Sequence, residues 1–236
     1  MRARTIALAT VVGLAVVVGA GLGLYQLSRA RCVSLVAQSV CRVRTTAPLV
    51  ALTFDDGPTA LGVQTILPEL GRHDAHATFF LIGREAQSHP EMVRALLAAG
   101  QEVGDHTYSH LRNVGHGQAF YDAEIARTQA VLRAAGADPR FVRPPYGKKL
   151  IGLPLAIKRA GLTMVTWDVE DPPTRDPRAF ADGIVRQAHP GAIILVHAMY
   201  APNGTARAAL PMILDGLKAR GFRVVTVGEL LAHTAP

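Results

Sequence analysis

Between residues 50 and 227, short runs rich in β-branched and aromatic residues alternate with longer stretches of helical period. No other property of the chain constrains its fold so tightly, because repeated strand–helix units pack as a parallel sheet with helices outside it. The predicted strands are 50–54, 77–81, 102–105, 141–143, 162–167, 192–196 and 222–227. The predicted helices are 63–72, 88–99, 118–135, 149–160, 177–188, 206–220 and 228–233. Gly100, Gly136, Gly161 and Gly221 stand at or just past four helix ends, where a left-handed cap favours glycine. The expected class is α/β, a distorted (β/α) barrel of about seven strands. A chain of 236 residues suits one such domain with a short extension.

The extension lies at the start. From Thr5 to Ser28 no residue is charged and most are Ala, Val, Leu, Ile or Gly, a block long enough to span a bilayer. Val18-Gly19-Ala20 also passes as a cleavage site for an export signal, which leaves a secreted form open. An uncleaved single-pass anchor is favoured, with the rest of the chain on the extracytoplasmic side. Cys32 and Cys41 follow it, and an even cysteine count beside an export segment points to a disulfide. The expected organisation is therefore 1–30 anchor or signal, 31–47 linker, and 48–236 globular domain. The net charge of +7 is spread along the chain with no basic run, so nucleic acid is not an expected partner. Oligomeric state is not legible.

Chemistry-bearing residues sit where predicted strands end. In a β/α barrel those ends open onto one face, so distant residues meet there. Asp55 and Asp56 would repel unless a cation separates them or their roles differ. His106 and His110 stand four apart, a spacing that puts two imidazoles on one face of a helical turn and suits zinc. Asp56, His106 and His110 then make the three protein ligands of a catalytic metal, and Asp55 remains as a general base. Arg143 can hold Asp55 charged and aimed. Pro145, Tyr146, Gly147 and Trp167 are candidate substrate contacts: a Tyr146 N–H for a developing oxyanion, Gly147 for close approach, Trp167 as an apolar wall. His197 ends a buried-looking run and serves as a general acid. Taken singly, each has a plainer reading as a turn, a core residue or a surface pair. Together they read as a metal-dependent hydrolase.

Thr-Phe-Asp-Asp-Gly at 53–57, His-Thr-x-x-His at 106–110, Arg-Pro-Pro-Tyr-Gly at 143–147 and Leu-x-His at 195–197 occur in that order. In series they resemble the polysaccharide deacetylases, the NodB-like carbohydrate esterases, from about residue 50 to 231. The resemblance implies a deformed barrel that removes N-acetyl groups from amino-sugar polymers. It implies Asp55 as base, Asp56, His106 and His110 as ligands of a divalent metal (zinc first, then cobalt, nickel or manganese), and His197 as acid. The sequence departs from the family pattern where a second aspartate usually orients the acid histidine, since Pro173 and Thr174 stand there. Asp168, Glu170 and Asp171 are the substitutes, with Asp168 preferred. Two other readings stay open: a deacetylase or deformylase of a lipid-linked amino sugar, and a non-catalytic glycan-binding module.

Overall fold

The computed structural model describes residues 2–112 and 114–235, with the side chains of 2–12 and 28–29 outside that description. The chain opens with helix α1 (Arg2–Arg29), followed by β1 (Ser39–Val40), β2 (Leu49–Asp55), α2 (Ala60–Arg72) and β3 (Thr78–Leu81). Two short helices, α3 (Gly83–Ser88) and α4 (Pro90–Ala98), lead to β4 (Glu102–Asp105), α5 (Gln118–Ala134) and β5 (Phe141–Val142). The remainder runs α6 (Gly152–Arg159), β6 (Thr163–Val165), β7 (Val169–Glu170), α7 (Pro177–Gln187), β8 (Ile193–Val196), α8 (Gly204–Ala219), β9 (Arg223–Val225) and α9 (Val227–Ala232).

All strand pairs are parallel, in one curled nine-stranded sheet of order β1-β6-β5-β4-β3-β2-β8-β7, with β9 on β2. The expected class holds, and the strand count rises because β1 and β7 join. Each is two residues long, too short to show a period in sequence. Strand β2 is the pivot. Its first half pairs with β9 and its second half with β8, which splays the sheet and distorts the barrel.

Alternation along β2 sorts its side chains between two layers. Val50, Leu52 and Phe54 join the large apolar layer under α2, α4, α7 and α8. Leu49 and Ala51 face inward with Phe80, Phe141, Val165 and Ile193, and α9 closes that small interior with Val227 and Leu230. Thr53 and Asp55 share the inward parity, so the same alternation delivers a carboxylate to the top of the interior. Gly104 keeps the interior open: a Cβ there would lie 2.6 Å from the Phe80 ring.

Gly100, Gly136, Gly161 and Gly221 all have positive φ, as their place after helix ends requires. The single helix expected over 88–99 is two helices. Pro90 starts α4 at its first turn, where proline lacks nothing the helix needs, and the polar segment before it forms α3.

The segment 31–47, expected as a linker, is built into the fold. Cys32 and Cys41 form a disulfide with a Cα–Cα distance of 5.1 Å. Strand β1 pairs with β6, and Val43 N–H donates to Gly191 O at 2.8 Å. Helix α1 covers the expected anchor, part of which falls on side chains outside the described residues. Among the described residues, no helix is long and apolar enough to cross a membrane.

Candidate functional site

Asp55 ends β2 and is 2 % exposed. Its Oδ1 accepts from Arg143 Nη1 at 2.7 Å. Arg143, fully buried just past β5, also donates from Nη1 to Thr53 Oγ1 at 2.7 Å and from Nη2 to Thr166 O at 3.0 Å. Its guanidinium carbon lies 4.1 Å from the centroid of Phe80. Burial pushes the Asp55 carboxyl up, but Arg143, His106 and His197 outweigh it and hold the group below its ordinary range. Asp55 is thus a fixed, ionised acceptor. Thr53, which the motif reading left unassigned, shares the parity of Asp55 two residues on. Its hydroxyl donates to Ile194 O at 2.7 Å while accepting from Arg143.

The chain then turns sharply, with Asp56 at φ 77 and Gly57 at φ 68. That turn brings Asp56 alongside both imidazoles. Its Oδ1 lies 3.8 Å from His106 Nε2 and 3.4 Å from His110 Nε2. Asp56, His106 and His110 each offer one ligand atom, all within 4.8 Å of one another.

The two histidines are not on a helical turn, as their spacing had suggested. They lie in an irregular loop after β4, and Thr107 and His110 take positive φ of 65° and 55°. Buried Asp105 shapes this loop: Oδ1 accepts from Thr107 N–H at 2.7 Å and Oδ2 from Gln129 Nε2 at 3.1 Å. Burial raises its carboxyl to about 7.

The donor chemistry suits a divalent cation. His106 Nδ1 lies 2.7 Å from Arg143 O, and a carbonyl only accepts, so the proton sits on Nδ1 and Nε2 is left as a ligand. Burial and the neighbouring His106 bring His110 down to about 4, which keeps it neutral. Asp56 Oδ1 is buried without a hydrogen-bond partner among the described residues. Burial, then the Asp55 and Asp171 carboxylates, push Asp56 upward against the pull of His106. A cation among these atoms would reverse that strain.

On the far side, His197 follows β8 and is partly exposed. Its Nδ1 lies 3.0 Å from Asp171 Oδ2. Burial lowers its basicity, but the Asp171 hydrogen bond and the carboxylates around it raise it to about 9. Asp168, the preferred orienting residue, is elsewhere: Oδ2 meets His189 Nε2 at 2.9 Å and Oδ1 accepts from Ile193 N–H at 3.1 Å. Strand β7 carries the chain past Asp168 and places Asp171 at the histidine instead.

The remaining candidates form one wall. Pro145–Gly147 is a single tight turn, with φ 56 at Tyr146 and φ 65 at Gly147. The Tyr146 ring centroid is 4.9 Å from that of His110. Trp167 is half-buried behind the turn, and its Nε1 donates to Glu170 Oε2 at 2.9 Å. Pro145 is buried beneath them.

Known proteins are similar to this chain in sequence and fold. A peptidoglycan-N-acetylglucosamine deacetylase of Bacillus cereus is 35% identical, over 77% of this chain and 67% of that protein. A chitooligosaccharide deacetylase of Sinorhizobium fredii is 33% identical over 78% of this chain and 93% of its own length. The solved structure of the Bc1960 peptidoglycan N-acetylglucosamine deacetylase superposes with a TM-score of 0.76 at 29% identity, over 84% of this chain and 94% of that one. The family model described as polysaccharide deacetylase matches residues 42–165, more than half of the sequence. Sequence and fold agree on this kinship, and the chain belongs to the polysaccharide deacetylase family.

Proposed function

We propose that this chain is a metal-dependent hydrolase that removes N-acetyl groups from an amino-sugar polymer of the cell envelope, with peptidoglycan the first candidate. One observation carries the reading. An Asp/His/His trio stands between an aspartate locked by a buried arginine and a histidine raised by its own aspartate. Asp56, His106 and His110 would hold a divalent ion, zinc first by the ligand set, and the ion would supply Lewis acidity to the amide carbonyl and to the attacking water.

The residues divide the proton work. Asp55, ionised and aimed by Arg143, accepts a proton from the attacking water. The Tyr146 N–H offers a donor to the oxygen that gains charge. His197, protonated below about 9, gives its proton to the departing nitrogen as the C–N bond breaks. Water and amide thereby become acetate and a free amino sugar. Pro145, Gly147 and Trp167 shape the wall against which the sugar lies. We place the catalytic domain outside the cytoplasm, held by the apolar segment before residue 30, on the strength of that segment and the Cys32–Cys41 disulfide.

The test is acetate release from acetylated and formylated glycans by the purified chain, after chelation and after addition of single metals. Acetate from a polymeric substrate that is lost on chelation and restored by metal supports the proposal. Turnover unaffected by chelation, or glycan binding with no acyl release, overturns it.

A further inference from the structure

Helix α5 turns one stripe inward. Tyr121, Glu124, Ile125, Thr128, Gln129 and Leu132 are buried, at the spacing of a core-facing helix. Glu124, Thr128 and Gln129 are polar, in the middle of that stripe where apolar contact would be the rule. A buried polar group destabilises the fold unless it is hydrogen-bonded, so each calls for a partner. Thr128 finds one on its own helix, Oγ1 donating to Glu124 O at 2.8 Å. Glu124 and Gln129 reach out instead, and both reach the segment 105–110 that carries the two histidines. Glu124 Oε2 accepts from Ser109 N–H at 2.9 Å, and Gln129 Nε2 donates to Asp105 Oδ2 at 3.1 Å.

That segment needs outside support. Thr107 and His110 take left-handed backbone without being glycine, a conformation that persists only where the surroundings over-determine it. Its peptide groups are taken up one by one. Thr107 N–H donates to Asp105 Oδ1, while Gly83 N–H and Arg84 N–H, in the first turn of α3, donate to Thr107 O at 2.9 Å and Tyr108 O at 3.0 Å. The Tyr108 side chain is gripped too: its hydroxyl donates to Gln87 Oε1 at 2.7 Å, and its ring centroid lies 3.6 Å from the Arg127 guanidinium carbon. Ser109 N–H on Glu124 is the last of these ties before His110.

The two histidines differ in what aims them. The His106 ring is fixed by the hydrogen bond from Nδ1 to Arg143 O. Among the described residues, the His110 ring meets Asp56 and the His106 and Tyr146 rings but has no hydrogen bond of its own. Its direction is therefore inherited from the backbone that Glu124 holds. Resting on the reading of Asp56, His106 and His110 as metal ligands, we infer that Glu124 is a positioning residue for His110, presetting its imidazole for a divalent ion through Ser109 N–H. The trio then stands assembled in advance, and little ordering of the loop opposes ion binding.

The test is the zinc affinity of the full chain in detergent, measured by competition with a chromophoric chelator. The visible spectrum of the cobalt-loaded chain is the second readout. Glu124→Ala is expected to bind zinc about tenfold more weakly, since losing the outer support of a ligand weakens binding by about 10–100-fold. Its cobalt bands should shift, because the ligand geometry changes. Glu124→Gln keeps an acceptor at the same reach and should restore the native affinity and bands. If the alanine variant does not fold, Glu124→Asp serves in its place, keeping the charge but drawing the acceptor back by one methylene. Unchanged zinc affinity and cobalt bands in a destabilised variant would make the carboxylate merely structural and overturn the inference. So would a glutamine variant as weak as the alanine one, which would assign the effect to charge. Acetate release enters neither readout. A native chain that binds zinc no better than its variants sinks the inference and leaves the deacetylase reading standing, whereas a native chain that takes up neither ion sinks both.

Discussion

Asp171 Oδ2 stands 3.0 Å from His197 Nδ1, and its Oδ2 also lies 3.4 Å from the backbone N–H of the same histidine. One carboxylate therefore fixes both the ring and the strand end that carries it. It directs the ring so that Nε2, the other nitrogen, is the one free to meet substrate.

That contact sets a pH limit. Burial lowers the basicity of His197, but Asp171 and the other carboxylates raise it to about 9, above its ordinary value near 6.5. The acid form is present below about 9 and is lost as pH rises through it. The alkaline limb of kcat/KM is expected near 9 in the native chain. Asp171→Asn should move that limb downward and reduce kcat by about 10²-fold at pH 8. An unmoved limb would remove Asp171 from the positioning role. The same carboxamide change at Asp168 should leave the limb in place, because Asp168 faces His189.

Arg143 joins three segments of the site: β2 through Thr53 and Asp55, the residue after β6 through Thr166, and the loop after β4 through the carbonyl that meets His106. Deleting one partner of a buried pair leaves the other charged and unmatched, at about 3–5 kcal/mol. Arg143→Ala should lose stability on that scale in chemical denaturation. Arg143→Lys should fold better yet remain poorly active, since an ammonium cannot reproduce the planar fork. Native-like activity in the lysine variant would contradict the assigned role.

The trio should couple metal to stability. A ligand that binds only the folded chain stabilises it by about 2.7 kcal/mol at about 100 times its Kd. Added zinc should therefore raise the melting temperature of the native chain. His106→Ala should abolish the rise, and Asp55→Asn should keep it while turnover is lost. Equal metal content in the His106→Ala and native proteins would exclude the ligand set.

Gly191 enters β8 at φ 80, and a Cβ there would lie 1.9 Å from Val43 O. Gly191→Ala is expected to cost about 1–3 kcal/mol, as other overpacked sites do, by forcing the 43–45 segment off the barrel. Thermal unfolding within error of the native chain would show that this segment is loosely held.

What the sequence revealed follows from period and position. Asp55, Asp56, His106, Arg143 and His197 were readable because each lies at or just past a strand end. Asp171 was harder. Its approach depends on β7, which pairs with β8 over only Val169 and Glu170, so no pattern distinguished Asp171 from Asp168 three residues before. The conformation of the 106–110 loop was hidden for a similar reason. Two non-glycine residues take left-handed backbone there; Asp105 at the end of β4 accepts from Thr107 N–H and is itself held by Gln129 from the distant α5. Strand β1 has no period to display. It exists because β6 supplies a free edge and a disulfide folds the chain back onto it.

Arg31 O accepts from Thr166 Oγ1 at 2.8 Å, and Thr166 O in turn receives Arg143. Only two residues thus separate the first ordered turn after α1 from the aspartate proposed to deprotonate water. A truncated version begun at residue 48, where pattern alone would cut, discards β1, the disulfide and the Tyr25 and Arg31 rim of the cleft beside Tyr146 and Trp167. Recombinant work on the isolated catalytic unit should start no later than Ala30, or it will study a barrel whose entrance has been remodelled.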